Sequence, residues 1–499
     1  MAKRKHDTSR TYVVEIKMIV TEADARFIDS KMNQINRRYN ALVTHMRRVL
    51  ESLFKDEEYL KVLEQFRKNE IEGGDVLKWL QKNRGISNYS MKMWMTAGNK
   101  AYKKLNSHCA KRITEDCYAG FKKCVFNQNK TLHHRKPGQT NVITSDTAKQ
   151  GIIYKPSKCI VEFMKRNIRL KPSRENDVYF AECMMDRIKF CSVKRVNSKA
   201  SGYEYYLQLH MDGVPPKKYE IGEGKEGRDL GTSTVALYTG DELNFEEIAP
   251  DVKTYNHQIK IASIEYSRAV RKANPDCYDE NGTGIKGSKC KNWTSARRKA
   301  LMKLKYAYYR KSTYVRLWWR HHNNEVLKRS RVIISEEMNW LGLARKAKET
   351  SRQDKKSAVK KKDGSVIEVY KFKRRKRFGK SVLDRSPGFG EADLKRKIKS
   401  QGGEYVKVNT MVYRASQYHH DTGEYVKSPL SERTKQIGGH TVNRDTYSAF
   451  LLYHRHDAEH VNTEACASDF SNYLKLQTSL VARFCEQGNV SQNFGLSDF

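Results

Sequence analysis

The stretch GRDLGTSTVALYTG, Gly227 to Gly240, decides how the second half of the chain is read. It has the texture of a buried strand with one fault. Asp229 stands where the strand begins, ahead of Leu-Gly-Thr-Ser-Thr and an apolar run. A carboxylate beside a core strand is costly unless something neutralises it. Two further acids are placed as awkwardly. Glu336 ends the apolar run VIISEEMN, and Asp445, in GGHTVNRDTYSAFLLYH, comes just before the helical apolar set Tyr447, Phe450 and Leu451. Three carboxylates converging at strand and helix ends could not all ionise unpaired. Two divalent cations about 3.5–4 Å apart resolve that conflict and form a site for phosphodiester hydrolysis. Mg²⁺ is the ion expected, because it favours a few carboxylates together with water and phosphate oxygens. Gly231 leaves room for a close approach of backbone or substrate. Taken singly, each acid has a plainer reading, as a turn residue or a helix cap.

Composition points to a polyanionic partner. The chain has 499 residues, with 96 Lys and Arg against 57 Asp and Glu, a net charge of +39. The excess is spread along the whole length, which suits nucleic acid better than a membrane surface. Aromatic residues make up 10% and many lie among the basic ones, so base stacking can accompany phosphate contact. No apolar run reaches the ~18 residues of a membrane span, and MAKRKHDTSR leads into no apolar signal segment. A cytoplasmic protein of a prokaryotic cytosol or nucleoid is expected. The ten cysteines form no C-x-x-C pair and read as reduced thiols, Cys277 and Cys290 included.

Outward from the acids, the pattern changes several times. TYVVEIKMIV, Thr11 to Val20, alternates as a strand. Thr21 with Asp24 forms a capping box, and Ile28, Met32, Ile35, Tyr39, Leu42 and Met46 mark one face of a long helix. Arg37, Arg38, Arg47 and Arg48 fall between them and are read as an exposed nucleic-acid-binding face. Helical patterns run to about Lys123. Short strands follow to about Lys218, clearest in YEYYLQLHM, Tyr203 to Met211. The simplest reading is a β-domain interrupted by a helical insertion. After Asp229 come a strand, a second near Leu243 to Ile248, and a polar insertion. A long basic aromatic helix then runs from Thr294 to Ser330, with Trp318 and Trp319 as core or stacking residues. Lys346 to Lys380, with Arg374, Arg375, Lys376 and Arg377, reads as a mobile basic loop that orders on nucleic acid. A helix over Ala392 to Ser400 and the strand EYVKVN precede the last region.

With these residues in view, DLGTSTVALY resembles the first motif of RuvC-type nucleases of the RNase H fold. IISEEMNWLGL resembles the second and VNRDTYSAFLL the third. Their order and wide spacing look like those of TnpB and compact type V CRISPR effectors, and the resemblance spans the chain. It implies an α+β multidomain protein: a β-barrel-like wedge domain (1–20 and 125–220) with a helical recognition insertion (21–124), then an RNase H-like RuvC domain (221–345). A basic lid and RuvC continuation (346–412), a zinc-ribbon-like insert (413–440) and the third motif with a C-terminal extension (441–499) complete it. It implies that Asp229, Glu336 and Asp445 are the catalytic, Mg²⁺-binding acids, with Asp469 a rival for the third place. Glu336 is preferred to Glu337 as the first acid of its motif. Guide RNA and double-stranded target DNA are the implied partners, and cleavage beside a short flanking motif is the implied activity. The insert departs from the family: SQYHHDTGEYVKSPLSERTKQIGGHTVNRD has no cysteine, with Tyr418 and Asp421 where a C-x-x-C pair belongs. It reads as a ribbon held by packing, without zinc on His419, His420 or His440. His456 and His460, on a helix, would share a face with His454 nearby. Transposon-encoded and CRISPR-associated members share these motifs, so the genetic setting stays open. Two other readings remain: a DDE-type transposase or integrase, and an RNA-guided repressor that binds without cutting.

Overall fold

A computed structural model describes residues 10–97, 105–126, 128–129, 131–172, 177–197, 202–217, 220–345, 349–360, 365–374, 378–429, 432–487 and 494–495. The chain divides into two compact units, Met1–Pro216 and Lys217–Phe499. Among the described residues no helix is long and apolar enough to cross a membrane.

In the first unit, β1 (Thr11–Ile19) leads directly into α1 (Glu22–Leu53). The Thr21 hydroxyl accepts from the Asp24 N–H at 3.2 Å, and Asp24 accepts from the Thr21 N–H at 3.1 Å. That closes the expected capping box. All six apolar residues expected on one face of α1 are buried. The helical insertion continues as α2 (Glu57–Arg67), α3 (Gly73–Arg84), α4 (Asn88–Ala97) and α5 (Ser107–Val125). Then come β2 (Val142–Thr144), β3 (Ile152–Lys155), β4 (Ile160–Phe163), β5 (Arg166–Leu170), α6 (Val178–Met184), β6 (Ile188–Val196) and β7 (Glu204–Asp212). β1 therefore finds its partners more than 140 residues later: it lies between β7 and β5 in a seven-stranded antiparallel sheet, order β2-β6-β7-β1-β5-β4-β3. Among the described residues the hydrogen-bonded order does not close into a ring: β2 pairs with β6 and β3 with β4, and neither pairs with the other. The Arg166 guanidinium holds the Asp24 carboxylate at 2.6 Å, fastening the start of α1 to β5.

The second unit is built on a mixed sheet, order β10-β9-β8-β11-β14. β8 (Gly224–Leu230), β9 (Thr234–Tyr238) and β10 (Leu243–Glu247) are antiparallel neighbours, while β8, β11 (Ser330–Glu336) and β14 (Glu404–Val408) run parallel. Asp229 is the penultimate residue of β8 and does not open a strand. The expected strand is β9, reached through a tight turn in which the Gly231 N–H donates to the Thr234 carbonyl at 2.9 Å. GKEGRDL escaped recognition because Glu226 and Arg228 point inward, breaking the apolar alternation on which strand reading relies.

Between β10 and β11, α7 (Val252–Ala273) and α8 (Ser295–Arg329) form a helical hairpin around the polar insertion. α9 (Trp340–Ala344) follows β11. The basic stretch expected to be a loop is instead an antiparallel hairpin of β12 (Glu349–Lys360) and β13 (Val366–Arg374). Lysine-rich strands carry little apolar signal, and here pairing comes from backbone hydrogen bonds. α10 (Gly379–Arg385), α11 (Pro387–Ser400), β14 and α12 (Thr410–Tyr413) come next, followed by the hairpin β15 (Thr434–Ile437) and β16 (His440–Asn443). α13 (Arg444–Tyr453) and α14 (Thr463–Gln487) complete the unit.

Each face of the sheet is covered by helices. Ala236, Ile334 and Val408 pack with Phe450 and Leu451 of α13. On the other face Leu230, Val235 and Leu237 pack against Val315 and Trp319 of α8, and Ile333 packs against Leu394 and Ile398 of α11. Trp319 is fully buried, with its indole N–H donating to the Arg385 carbonyl at 2.7 Å. Its neighbour Trp318 stacks on His322. Trp319 is thus a core residue. Replacing Trp319 with Ala should cost about 3–5 kcal/mol through the cavity and the orphaned carbonyl, read as a lowered midpoint in denaturant unfolding.

Candidate active site

Strand register brings the first two acids together. Ile334 stands opposite Gly227 and Ser335 opposite Arg228 across the parallel β11–β8 pair. One step further along, Glu336 stands beside Asp229. Side chains alternate along a strand, so both acids share the face that carries Gly227 and Ile334. Neighbouring strands lie ~4.8 Å apart.

α13 delivers the third acid to that same face. A Cβ on Gly227 would sit 2.1 Å from the Ala449 carbonyl oxygen and 2.4 Å from the Tyr453 nitrogen. The absence of a side chain lets the helix backbone lie directly on β8. Gly227 faces the later turns of α13, whereas Asp229, two residues on, meets Ser448 and Asp445 of its first turns. Helix and strand therefore run in opposite directions, and the helix N-terminus arrives at the carboxyl end of the strand. Asp445 is not the helix cap. Asn443 caps α13, accepting from the N–H groups of Asp445 (3.1 Å) and Thr446 (2.9 Å). The Asp445 carboxylate is consequently spared for other contacts. The buried Arg444 donates to its Oδ1 from Nε and Nη2, both at 3.2 Å, and Arg433 Nη1 lies 3.9 Å from its Oδ2.

Electrostatics follow from this crowding. Burial, then Asp445, then Glu336 push the Asp229 carboxyl well above the usual carboxylate range, against opposing pulls from Arg444 and the Ser448 hydroxyl. Burial pushes Glu336 up to about 7, against the Ala415 N–H that donates to its Oε1 at 3.1 Å. Among the described residues no three acidic, histidine or cysteine side chains are gathered as ligands of one metal ion.

The remaining candidate residues separate cleanly. Asp469 sits on α14 and is occupied elsewhere: it accepts from the Tyr238 hydroxyl, from Asn472 at 3.0 Å, and pairs with His454 Nε2 at 2.9 Å. Glu337 is exposed, 3.7 Å from Lys407. Arg37 and Arg48 are exposed on α1 as expected. Arg38 and Arg47 are not. Arg38 is buried and donates to the Met95 carbonyl, and Arg47 Nε donates to the Leu132 carbonyl at 2.8 Å. The α1 helix is covered on more than one side, so its buried face is wider than the apolar stripe. The side chain of Arg374 and the whole of Arg375, Lys376 and Arg377 lie outside the described residues. His456 and His460 fall in the turn between α13 and α14, not on a helix, and His460 pairs with Asp457 at 3.0 Å. In the insert, His420 Nδ1 pairs with the Tyr447 hydroxyl at 2.7 Å, and Tyr418 packs on Tyr425. The Asp421 carboxylate accepts from the Gly438 N–H at 2.7 Å, tying the two turns of the insert together.

No protein-family model matches the chain, and no curated protein matches it. Solved structures do. A cryo-EM structure of a Cas12f1–sgRNA–target DNA complex is 14% identical, over 89% of this chain and 98% of that one, with a TM-score of 0.43. A cryo-EM structure of a CRISPR–Cas12f ternary complex is 13% identical over the same shares, with a TM-score of 0.28.

Sequence reasoning missed Gly227 and the buried Arg444. The Gly-x-Asp spacing on one strand face was the available signal for the first, and the Asn-Arg-Asp order for the second. Gly227→Ala should force α13 off β8, costing about 1–3 kcal/mol and lowering hydrogen-exchange protection in Arg444–Tyr453. The raised carboxyls set the sign of a pH effect. Their folded pKa lies above the unfolded value, so the favourable contribution is present below about pH 4.3 and is lost as pH rises through about 7. In metal-free buffer Glu336→Gln should therefore melt like wild type at pH 4.5. At pH 8 it should be more stable, by on the order of 1–3 kcal/mol.

Proposed function

We propose that this chain is a metal-dependent DNA endonuclease guided by RNA. The observation that carries the nuclease part is the crowding of Asp229 by Asp445 and Glu336 at the carboxyl end of a mixed sheet. The carboxyl edge of such a sheet is where open α/β folds bind ligands. Hard carboxylate oxygens fit Mg²⁺. A two-ion site does not require three acids on one ion: Asp229, Glu336 and Asp445 would hold the ions between them. When bound, the ions would activate water and neutralise charge on the departing oxygen.

The chain's own groups prepare that arrangement. The Ala415 N–H fixes one Glu336 oxygen. Arg444 grips Oδ1 of Asp445 and aims its carboxylate, and the α13 N-terminus favours negative charge there. Gly227 holds the helix close enough for the three acids to feel one another. RNA guidance rests on the motif resemblance and on the +39 charge. In this reading the guide pairs with the target strand, and the protein reads duplex shape and a short flanking motif. Whether the locus is a transposon or a CRISPR array is decided by the co-purifying transcript.

The test uses the protein purified with the RNA encoded beside it. Wild type should cut plasmid matching the variable RNA end in Mg²⁺ and fail in chelator. Asp229→Asn should lose on the order of a thousandfold or more in rate while binding RNA and target normally. Wild-type cutting by Asp229→Asn overturns the site. Cutting that ignores the RNA sequence and follows inverted-repeat DNA selects the transposase reading.

A further inference from the structure

The polar insertion between α7 and α8 folds back on itself and brings two cysteines together. Asn274, just after α7, holds the returning chain. Its Nδ2 donates to the Asn292 carbonyl at 3.3 Å, and its Oδ1 accepts from the Asn292 N–H at 2.8 Å. Further into the insertion the Cys277 carbonyl accepts from the Ile285 N–H at 2.9 Å and from the Ser288 hydroxyl at 3.3 Å. Cys290 lies between Ser288 and Asn292 on the returning segment, opposite Cys277. The two thiols are in hydrogen-bond contact, and Cys290 Sγ also donates to the Tyr278 hydroxyl at 3.9 Å. Both cysteines are free thiols; Cys277 is buried and Cys290 half-buried.

Two facing sulfurs can serve a metal or each other. A structural zinc site takes four ligands, and among the described residues no third Cys, His, Asp or Glu is gathered with this pair. A disulfide asks for less: two backbone segments with Cα atoms about 4.4–6.8 Å apart and side chains facing. The ties at Asn274 and at Cys277 hold the two backbones, and the thiol contact shows that the side chains face.

We propose that Cys277 and Cys290 are a redox-sensitive pair that closes into an intramolecular disulfide and locks the turn between α7 and α8. In a reducing compartment the pair stays a dithiol, and it closes when the thiol–disulfide poise turns oxidising. The oxidant is a low-molecular-weight disulfide such as oxidised glutathione. Cys290, the more accessible thiol, loses its proton and attacks one sulfur of the oxidant, releasing the first glutathione thiol. Cys277 then gives up its proton, attacks Cys290 Sγ in the mixed disulfide and releases the second. Two protein thiols are oxidised to one disulfide, and one glutathione disulfide is reduced to two thiols. The bond pins a segment on which Lys286, Lys289 and Lys291 are exposed, so it fixes the shape of a basic surface turn.

The experiment uses the full-length protein purified with its RNA and equilibrated at graded ratios of oxidised to reduced glutathione. Remaining thiols are alkylated, and unreduced peptides are mapped by mass spectrometry. Cys277 and Cys290 should be found joined, in a yield independent of protein concentration, and should reopen in dithiothreitol. Cys485, exposed on α14, is the accessibility control and should carry glutathione as a mixed disulfide. In Cys277→Ser, Cys290 should stop at the mixed disulfide; in Cys290→Ser, Cys277 should remain alkylatable. Closure should slow amide exchange across residues 275–293 by on the order of tenfold or more in wild type and in neither variant. Wild-type Cys290 that stops at the mixed disulfide, Cys277 that stays alkylatable while Cys485 is oxidised, or closure without slower exchange would overturn the proposal. None of these readouts involves cleavage, so they stand or fall apart from the nuclease reading.

Discussion

Three carboxylates that repel one another are held together at the carboxyl end of β8, and most of the second unit can be read as the means of doing so. Asp229 and Glu336 meet because two parallel strands are in register. Asp445 joins them because Gly227 has no side chain and α13 can lie on the strand. Repulsion alone would separate them or keep one protonated, as the raised carboxyl of Asp229 indicates. A fold that accepts this cost has placed a demand for positive charge at one point. Arg444 answers part of it from the protein, by gripping Asp445.

The opposite face of β8 shows how the strand tolerates polar residues on both sides. Glu226 and Arg228 are wholly buried there. Arg228 donates to His322 Nε2 at 3.1 Å, which fixes the lone pair on that nitrogen and the proton on Nδ1, and Nδ1 lies 2.5 Å from Glu246. Burial, and after it the nearby guanidinium, lowers the imidazole's pKa against the pull of Glu246. The pairing anchors the strand to α8 directly beneath the acids. A buried network of this kind is destabilising when broken and weakly stabilising when whole, so it serves position more than stability.

Charge is distributed to a different purpose. Arginines that sequence would assign to a nucleic-acid surface are partly spent inside: Arg38 and Arg47 satisfy backbone carbonyls around α1. The short helices that follow β11 and β14, by contrast, expose Leu341 and Met411. Net charge therefore describes the partner better than it locates the contact.

The sequence by itself determined the local signals. The capping box at Thr21, the apolar face of α1, the limits of α8 and the strand ending in Glu336 are all written in neighbouring residues. So were the three acids, because a carboxylate at the edge of an apolar run is conspicuous in one dimension. What needed tertiary structure was everything that depends on residues meeting across the chain. β8 was hidden because Glu226 and Arg228 are buried, Arg228 against His322 far along the chain, and a pattern of apolar residues cannot register that. Asp445 and Asp469 both lie near helix starts in sequence, yet only the packing of α13 on Gly227 brings one to Asp229, while Tyr238 and His454 occupy the other. Local propensity is encoded within a few residues. The meeting of like charges is decided by register and close approach, which exist only once the chain has folded.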